Sequence, residues 1–181
     1  MKTFTRPREF VENPRYAQER REAMTALDPA SINEPLADII AGFAALPHCF
    51  TLQSCYGHFL WLPGQDAHSL ESVPPDHAGP VRYRIAYIAF CLEHSTCGQA
   101  LRDALADIPA VAPDFIQFGS ADWFWERWLN SYTLQVEPAG QQHLDEAILN
   151  PAEALRCQEV RQLFCQRLRT MLAVETSKLL Q

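Results

Sequence analysis

Glycine is scarce in this chain, 7 of 181 residues, and the glycine-dependent nucleotide signatures are missing. No Gly-x-Gly-x-x-Gly follows a strand-like run and no Gly-Lys-Ser/Thr closes a phosphate loop; His-Glu-x-x-His is missing too. Dinucleotide, nucleoside-triphosphate and zinc-peptidase chemistries therefore lose their usual support. No apolar run reaches the length that spans a bilayer, and the first ten residues lack the apolar centre of a secretory signal. Those absences point to a soluble, cytoplasmic protein with no membrane partner. The net charge of −7 disfavours broad binding to nucleic acid, which depends on many Lys and Arg neutralising phosphates. Lys2, Arg6, Arg8, Arg15, Arg20 and Arg21 are interleaved with Glu9, Glu12, Glu19 and Glu22, the mixture of a solvated helix face.

What is present bounds the fold. With 48% hydrophobic and 20% charged residues, residues 1–181 have the composition of one globular domain that buries a core without staples. Six cysteines (Cys49, Cys55, Cys91, Cys97, Cys157, Cys165) are scattered through apparent strands and helices, which suits reduced thiols. Residues 1–12 read as an arm. Asn13-Pro14 then reads as a cap and first-turn proline for a helix to about Leu27, and Ser31 to Glu34 has capping-box spacing before a second helix ended by Pro47. Strands are expected at 49–54, 59–62, 81–92, 114–118 and 132–136. A helix capped by Ser95 or Thr96 lies between the third and fourth, and a short Trp-rich one follows the fourth. Residues 63–80 form a long connection, a mobile loop or a lid. Asn150-Pro151 opens a long C-terminal helix over 151–181. This order predicts an α+β fold, a mixed sheet of about five strands with helices packed on it.

The chemistry concentrates between His48 and Phe59. Alternation puts Phe50 and Leu52 on one face of a strand and Thr51 and Gln53 on the other; the run then breaks at Ser54 to Gly57 and resumes at Phe59. The expected arrangement is a pair of adjacent strands with Cys55 to His58 exposed at their junction. Gln53, Ser54, Cys55, Tyr56 and His58 supply donors, acceptors, a thiol and a titrating imidazole, while Gly57 permits positive φ or close approach of a ligand. The alternative is a hairpin with a polar turn. Cys55-x-x-His58 and Cys91-x-x-His94-x-x-Cys97 have metal-like spacing, but Cys91 falls on a core-facing strand and no metal is predicted. A Cys55 thiol nucleophile activated by a histidine is a further option. Trp123, Trp125 and Trp128 read as core, as an association surface or as a stacking platform, with Gln117, Ser120 and Gln135 nearby to hydrogen-bond a ligand or to satisfy buried backbone.

The segment Asp28-x-x-Ser31-Ile32-Asn33-Glu34-Pro35-Leu36, then Ile39-Ile40, then Cys49 to His58, resembles the opening of the wybutosine-synthesis methyltransferases, the tRNA wybutosine-synthesising protein 3 family. Ser54, Cys55 and Gly57 fall on the second Ser, the Cys and the Gly of that family's Ser-Ser-Cys-Ser-Gly-Arg motif. Ile85 to His94 and Ala112 to Ile116 are similar to its later strands. Gln53, Tyr56 and His58 depart from the motif, His58 standing where the family has Arg, and the long last helix has no counterpart. The resemblance implies transfer of a methyl group from S-adenosylmethionine to a modified guanosine in tRNA, with a pocket at Gln53 to His58; the acidic charge disfavours the tRNA substrate. A His58 that inherits the Arg role binds an anion below about pH 6.5; otherwise it is a neutral hydrogen-bonding group. The competing reading is a non-enzymatic binding or assembly protein, a homodimer included, with a residual pocket.

Overall fold

The structure, a computed structural model, describes residues 4–141 and 144–179; residues 1–3 of the expected arm and 180–181 of the expected helix lie outside them. The fold is α+β. Among the described residues, eight strands form two sheets, β1-β6-β7-β5-β2 and β3-β4-β8, and five α-helices accompany them. The strands are β1 (Phe4–Thr5), β2 (Cys49–Cys55), β3 (His58–Leu60), β4 (Val81–Arg84), β5 (Ala86–Leu92), β6 (Ile116–Ala121), β7 (Ser131–Val136) and β8 (Glu146–Leu149). The helices are α1 (Tyr16–Ala26), α2 (Ala37–Ala45), α3 (Thr96–Ala106), α4 (Asp122–Trp125) and α5 (Pro151–Lys178). The larger sheet has the expected five strands, but β1 takes the place of the expected 59–62 strand and its pairings are all antiparallel rather than mixed.

The apolar face of the large sheet carries Ile88, Phe90 and Leu92 of β5 with Tyr132, Leu134 and Val136 of β7. It packs on α2, α3 and the C-terminal two-thirds of α5 through Ile40, Phe43, Leu101, Phe164 and Leu168. The first turns of α5 reach the small sheet instead, where Ala154 and Cys157 meet Phe59, Tyr83 and Ala147. One helix thus underlies both sheets. It starts where the sequence signals it: Asn150 accepts from Glu153 N, Glu153 accepts from Asn150 N, and Pro151 occupies the first turn.

Two strand runs cross from one sheet to the other at the same place. The expected strand 81–92 is split at Ile85 into β4 and β5, and the central stretch is split at Tyr56-Gly57 into β2 and β3. β2 and β3 are therefore not paired neighbours, contrary to the expected arrangement; β2 pairs with β5 and β3 with β4. Gly57, at φ 85°, is where the two crossings touch: a Cβ there would lie 3.0 Å from both the Ala86 backbone nitrogen and its Cβ. A side chain at that position would have to push the strands apart.

Two further strands have no clear signal in the sequence. β1 turns part of the expected arm into an edge strand against β6, and β8 completes the small sheet beside β4. The 63–80 connection is tied down rather than free. Gln65 Oε1 accepts from Trp61 N, buried Val73 donates its N–H to Gln158 of α5, and Ala67 and Ser69 offer carbonyls to Arg84 and His58.

Candidate functional site

The cross-strand register places the site. Directly opposed residues in antiparallel pairs point to the same face, so Cys55, Tyr87, Gln135 and Gln117 form one row across four strands, and Gln53, Ala89, Thr133 and Gly119 the next. Both rows lie on the face turned away from α2 and α5. Strict alternation would have put Gln53 on the apolar side with Thr51. A β-bulge corrects this: Thr51 opposes Phe90 and Gln53 opposes Ala89, so Leu52 is the extra residue and Gln53 turns to the open face.

The small sheet contributes a third polar row, His58, Arg84 and Glu146, on its outer face, opposite the packed Phe59, Tyr83 and Ala147. Between these rows lies a cleft of about 900 Å³. Gln53, Ser54, Cys55 and His58 line it together with Ser31, Asn33, His68, Arg84, Tyr87 and Thr133, and α4 closes the far side with Asp122, Trp123, Phe124 and Glu126. A second cavity of about 550 Å³, walled by α1, Leu52 and Trp128, shares Ser31, Gln53 and Ser54 with the first.

Of the nine residues singled out in the sequence, four line the cleft. Tyr56 and Gly57 hold its wall: Asn33 Oδ1 accepts from Tyr56 N at 2.9 Å, and Arg161 of α5 donates to the Gly57 carbonyl at 2.8 Å. Gln117, Ser120 and Gln135 are not among the lining residues. Gln117 donates to the Glu137 carbonyl, and Gln135 bonds the Glu137 carboxylate. Ser120 accepts from Arg8 N at 3.1 Å, fixing the N-terminal arm beside Val11, which exchanges hydrogen bonds with Asn130. The expected junction is also less open than the sequence suggests. Cys55 and Tyr56 are half-buried, and His58, the first residue of β3, is only 3% exposed, with Ser69 and His68 of the 63–80 connection against its ring.

The Trp cluster divides. Trp125 packs edge-on against Tyr132, and Trp128 joins apolar clusters beneath α1 and α4. Trp123 alone stays out, 59% exposed on the cleft rim, with the Arg127 guanidinium 3.6 Å from its ring centroid. Arg84, Tyr87 and Thr133 were not foreseen as lining residues. The signal for Tyr87 was its place in the strand 81–92; the others depend on where the sheets diverge. Thr133, on the floor, has a fully buried hydroxyl with no hydrogen-bond partner among the described residues.

Electrostatics limits the chemistry. Burial raises the pKa of Cys55, so its thiol stays protonated near neutrality and is a poor nucleophile. Burial lowers the pKa of His58. Arg84 is occupied, by Glu146 at 3.4 Å and by the Ala67 carbonyl. Of the carboxylates around the cleft, Asp122 is paired with Arg8 and Glu146 with Arg84. All six cysteines are free thiols, Cys91 being fully buried, and no group of three or more His, Cys, Asp or Glu gathers among the described residues. No described helix is long and apolar enough to cross a membrane.

No protein-family model and no curated protein matches the chain. Among solved structures the fold is similar to the "Structure of PH1069 protein from Pyrococcus horikoshii", with a TM-score of 0.48 and 10% sequence identity over 88% of this chain and 95% of that one.

Proposed function

We propose that the cleft binds S-adenosylmethionine or a related nucleoside, and that the protein is a diverged relative of the wybutosine-synthesis methyltransferases acting in methyl transfer. The observation that carries this reading is convergence. Gln53, Ser54, Cys55 and His58, the stretch on which the resemblance rests, line one cleft whose opposite rim carries the exposed Trp123, one face of its ring covered by Arg127. An aromatic face stacks on a purine, amide and hydroxyl groups read its edges, and rim carboxylates such as Glu126 favour a sulfonium and ammonium ligand over a polyanion. The same acidity argues for a small acceptor rather than tRNA.

Titration calorimetry with S-adenosylmethionine tests the reading. Saturable one-site binding is expected, weakened at least tenfold in Trp123→Ala. Absence of saturable heat at millimolar ligand would remove it. The alternative, a binding or assembly protein with a residual pocket, draws on a separate observation. The edge strand β8 carries Ile148, 66% exposed, and would support a homodimer. A monomer by light scattering at high concentration would dispose of that dimer.

A further inference from the structure

His58 occupies the position where the resembled family has an arginine, and its surroundings suit a different task from holding an anion. Its ring Nδ1 lies 3.1 Å from the Ser69 carbonyl oxygen. A carbonyl only accepts, so the proton of the neutral imidazole resides on Nδ1 and Nε2 keeps a lone pair. Around the ring, His68 of the 63–80 connection stands edge-on with centroids 5.7 Å apart, Arg84 is the cross-strand neighbour on β4, and Arg161 of α5 acts on it through its charge from the Gly57 turn. Cys55 of β2 and, from β8 and its approach, Glu146 and Asp145 share the cleft wall. Burial disfavours the imidazolium most, Arg84, His68 and Arg161 add to it, and the Ser69 bond offsets part of the effect. With Nδ1 committed to the Ser69 carbonyl, Nε2 is the acceptor the neutral ring has left to offer.

We propose that His58 is the proton acceptor of the cleft, a neutral imidazole locked as the Nδ1–H form by the Ser69 carbonyl, whose Nε2 receives the proton of an N–H or O–H nucleophile bound there. This rests on the reading of the cleft as a methyl-transfer site and names the class of acceptor: a neutral nucleophile such as an amine or a ring nitrogen, not a phosphate or carboxylate. As the nucleophile's electron pair forms the bond to the methyl carbon, the C–S bond of the sulfonium breaks and its pair stays on sulfur as a thioether. The nucleophile's proton passes to His58 Nε2, and the resulting imidazolium returns it to solvent. General-base assistance of this kind contributes about 10²- to 10⁴-fold to a rate.

The tautomer is measured by long-range ¹H–¹⁵N NMR on the full-length ¹⁵N-labelled protein. Expected is a His58 ring with Nδ1 protonated and Nε2 bare, still neutral at pH 6. The role is measured with His58→Asn, whose amide nitrogen takes the place of Nδ1 and can keep the Ser69 bond while offering nothing at Nε2. Its melting temperature at pH 7 should match the native value. Release of S-adenosylhomocysteine from S-adenosylmethionine, with a nucleoside digest of tRNA as acceptor pool, should fall about 100-fold or more, with S-adenosylmethionine binding unchanged. An Nε2–H tautomer, a ring that titrates between pH 6 and 8, or an Asn variant that keeps the native rate overturns the proposal. If the native protein fails to bind S-adenosylmethionine in calorimetry, the reading of the cleft falls, and the tautomer and titration measurements still decide the assignment of His58 as the neutral acceptor.

Discussion

Arg161 donates to the Gly57 carbonyl at 2.8 Å, and its guanidinium carbon lies 3.9 Å from the Tyr56 ring centroid. The side chain is 2% exposed and emerges from α5 between the residues that serve the small sheet and those that serve the large one. It therefore clamps the turn where β2 leaves one sheet for the other. An arginine is suited to this, since its planar fork can bond carbonyls and stack on an aromatic ring together. Arg161→Ala should cost roughly 3 kcal/mol in urea denaturation, because charge-assisted hydrogen bonds to the Gly57 and Tyr56 carbonyls and packing on the Tyr56 and Phe59 rings are lost together. A loss below about 1 kcal/mol would show that the turn holds without the clamp.

Cysteine reactivity separates the thiol in the cleft from the surface one. Burial raises the Cys55 pKa, so little thiolate exists at pH 8, and a half-buried sulfur is also less accessible. Cys97 sits exposed in the first turn of α3. Limited alkylation with iodoacetamide at pH 8, read by peptide mass spectrometry, should label Cys97 well before Cys55. Faster labelling of Cys55 would return the thiol nucleophile to contention.

The elements that carry local signals were legible in the sequence. Asn150-Pro151-x-Glu153 marks the start of α5, Ser95 caps α3 by accepting from Gly98 N, and the apolar alternation from Ile88 to Leu92 marks a central strand. The site was legible in composition but not in arrangement. Nothing local distinguishes a hairpin at Tyr56-Gly57 from a crossing between sheets, because the difference lies in which distant strand each half pairs with. The bulge at Leu52 is likewise set by the register with β5, and it decides that Gln53 faces the cleft. β1 and β8 are short edges with weak patterns of their own, and they exist because β6 and β4 offer them partners. Ser120, Gln117 and Gln135 read in the sequence either as ligand contacts or as partners of buried backbone. In three dimensions they hold the arm and the end of β7.

An exposed ion pair joins the second and last helices. Arg169 bonds Asp38 twice, Nε to Oδ2 at 2.6 Å and Nη2 to Oδ1 at 2.9 Å, and also donates to the Pro35 carbonyl. The Arg169 hydrogen bond is the chief cause that holds the Asp38 pKa below its ordinary value. A carboxylate depressed in the folded state contributes stability above its unfolded pKa, and the contribution fades as pH falls through the folded value. Both side chains are about half exposed, so solvent screening limits the pair to about 1 kcal/mol at most. Asp38→Asn should accordingly cost up to about 1 kcal/mol at pH 7 and less at pH 3, as read by denaturant midpoints with an unchanged m-value. An equal loss at both pH values would assign the cost to packing.

Histidine burial sets the other side of the pH profile. His48 is 4% exposed with a buried Nε2 that has no hydrogen-bond partner among the described residues, and burial lowers its pKa; burial also lowers that of His58. Above the unfolded value near 6.5 both states are neutral and these rings contribute nothing to the pH dependence. Below it the unfolded chain takes up protons that the folded chain resists, so stability is present above pH 6.5 and is lost as pH falls toward the folded values. Each unit of depression corresponds to about 1.4 kcal/mol once that fall is complete. Asp38 ionises below this range, so the interval from pH 7 to 5 isolates the histidines from that ion pair. Native protein should therefore lose stability between pH 7 and 5, and His48→Gln and His58→Asn should each flatten part of the slope. A His58→Asn variant with the native slope would mean that the His58 ring protonates freely in the folded state, which would also remove the neutral acceptor from the cleft.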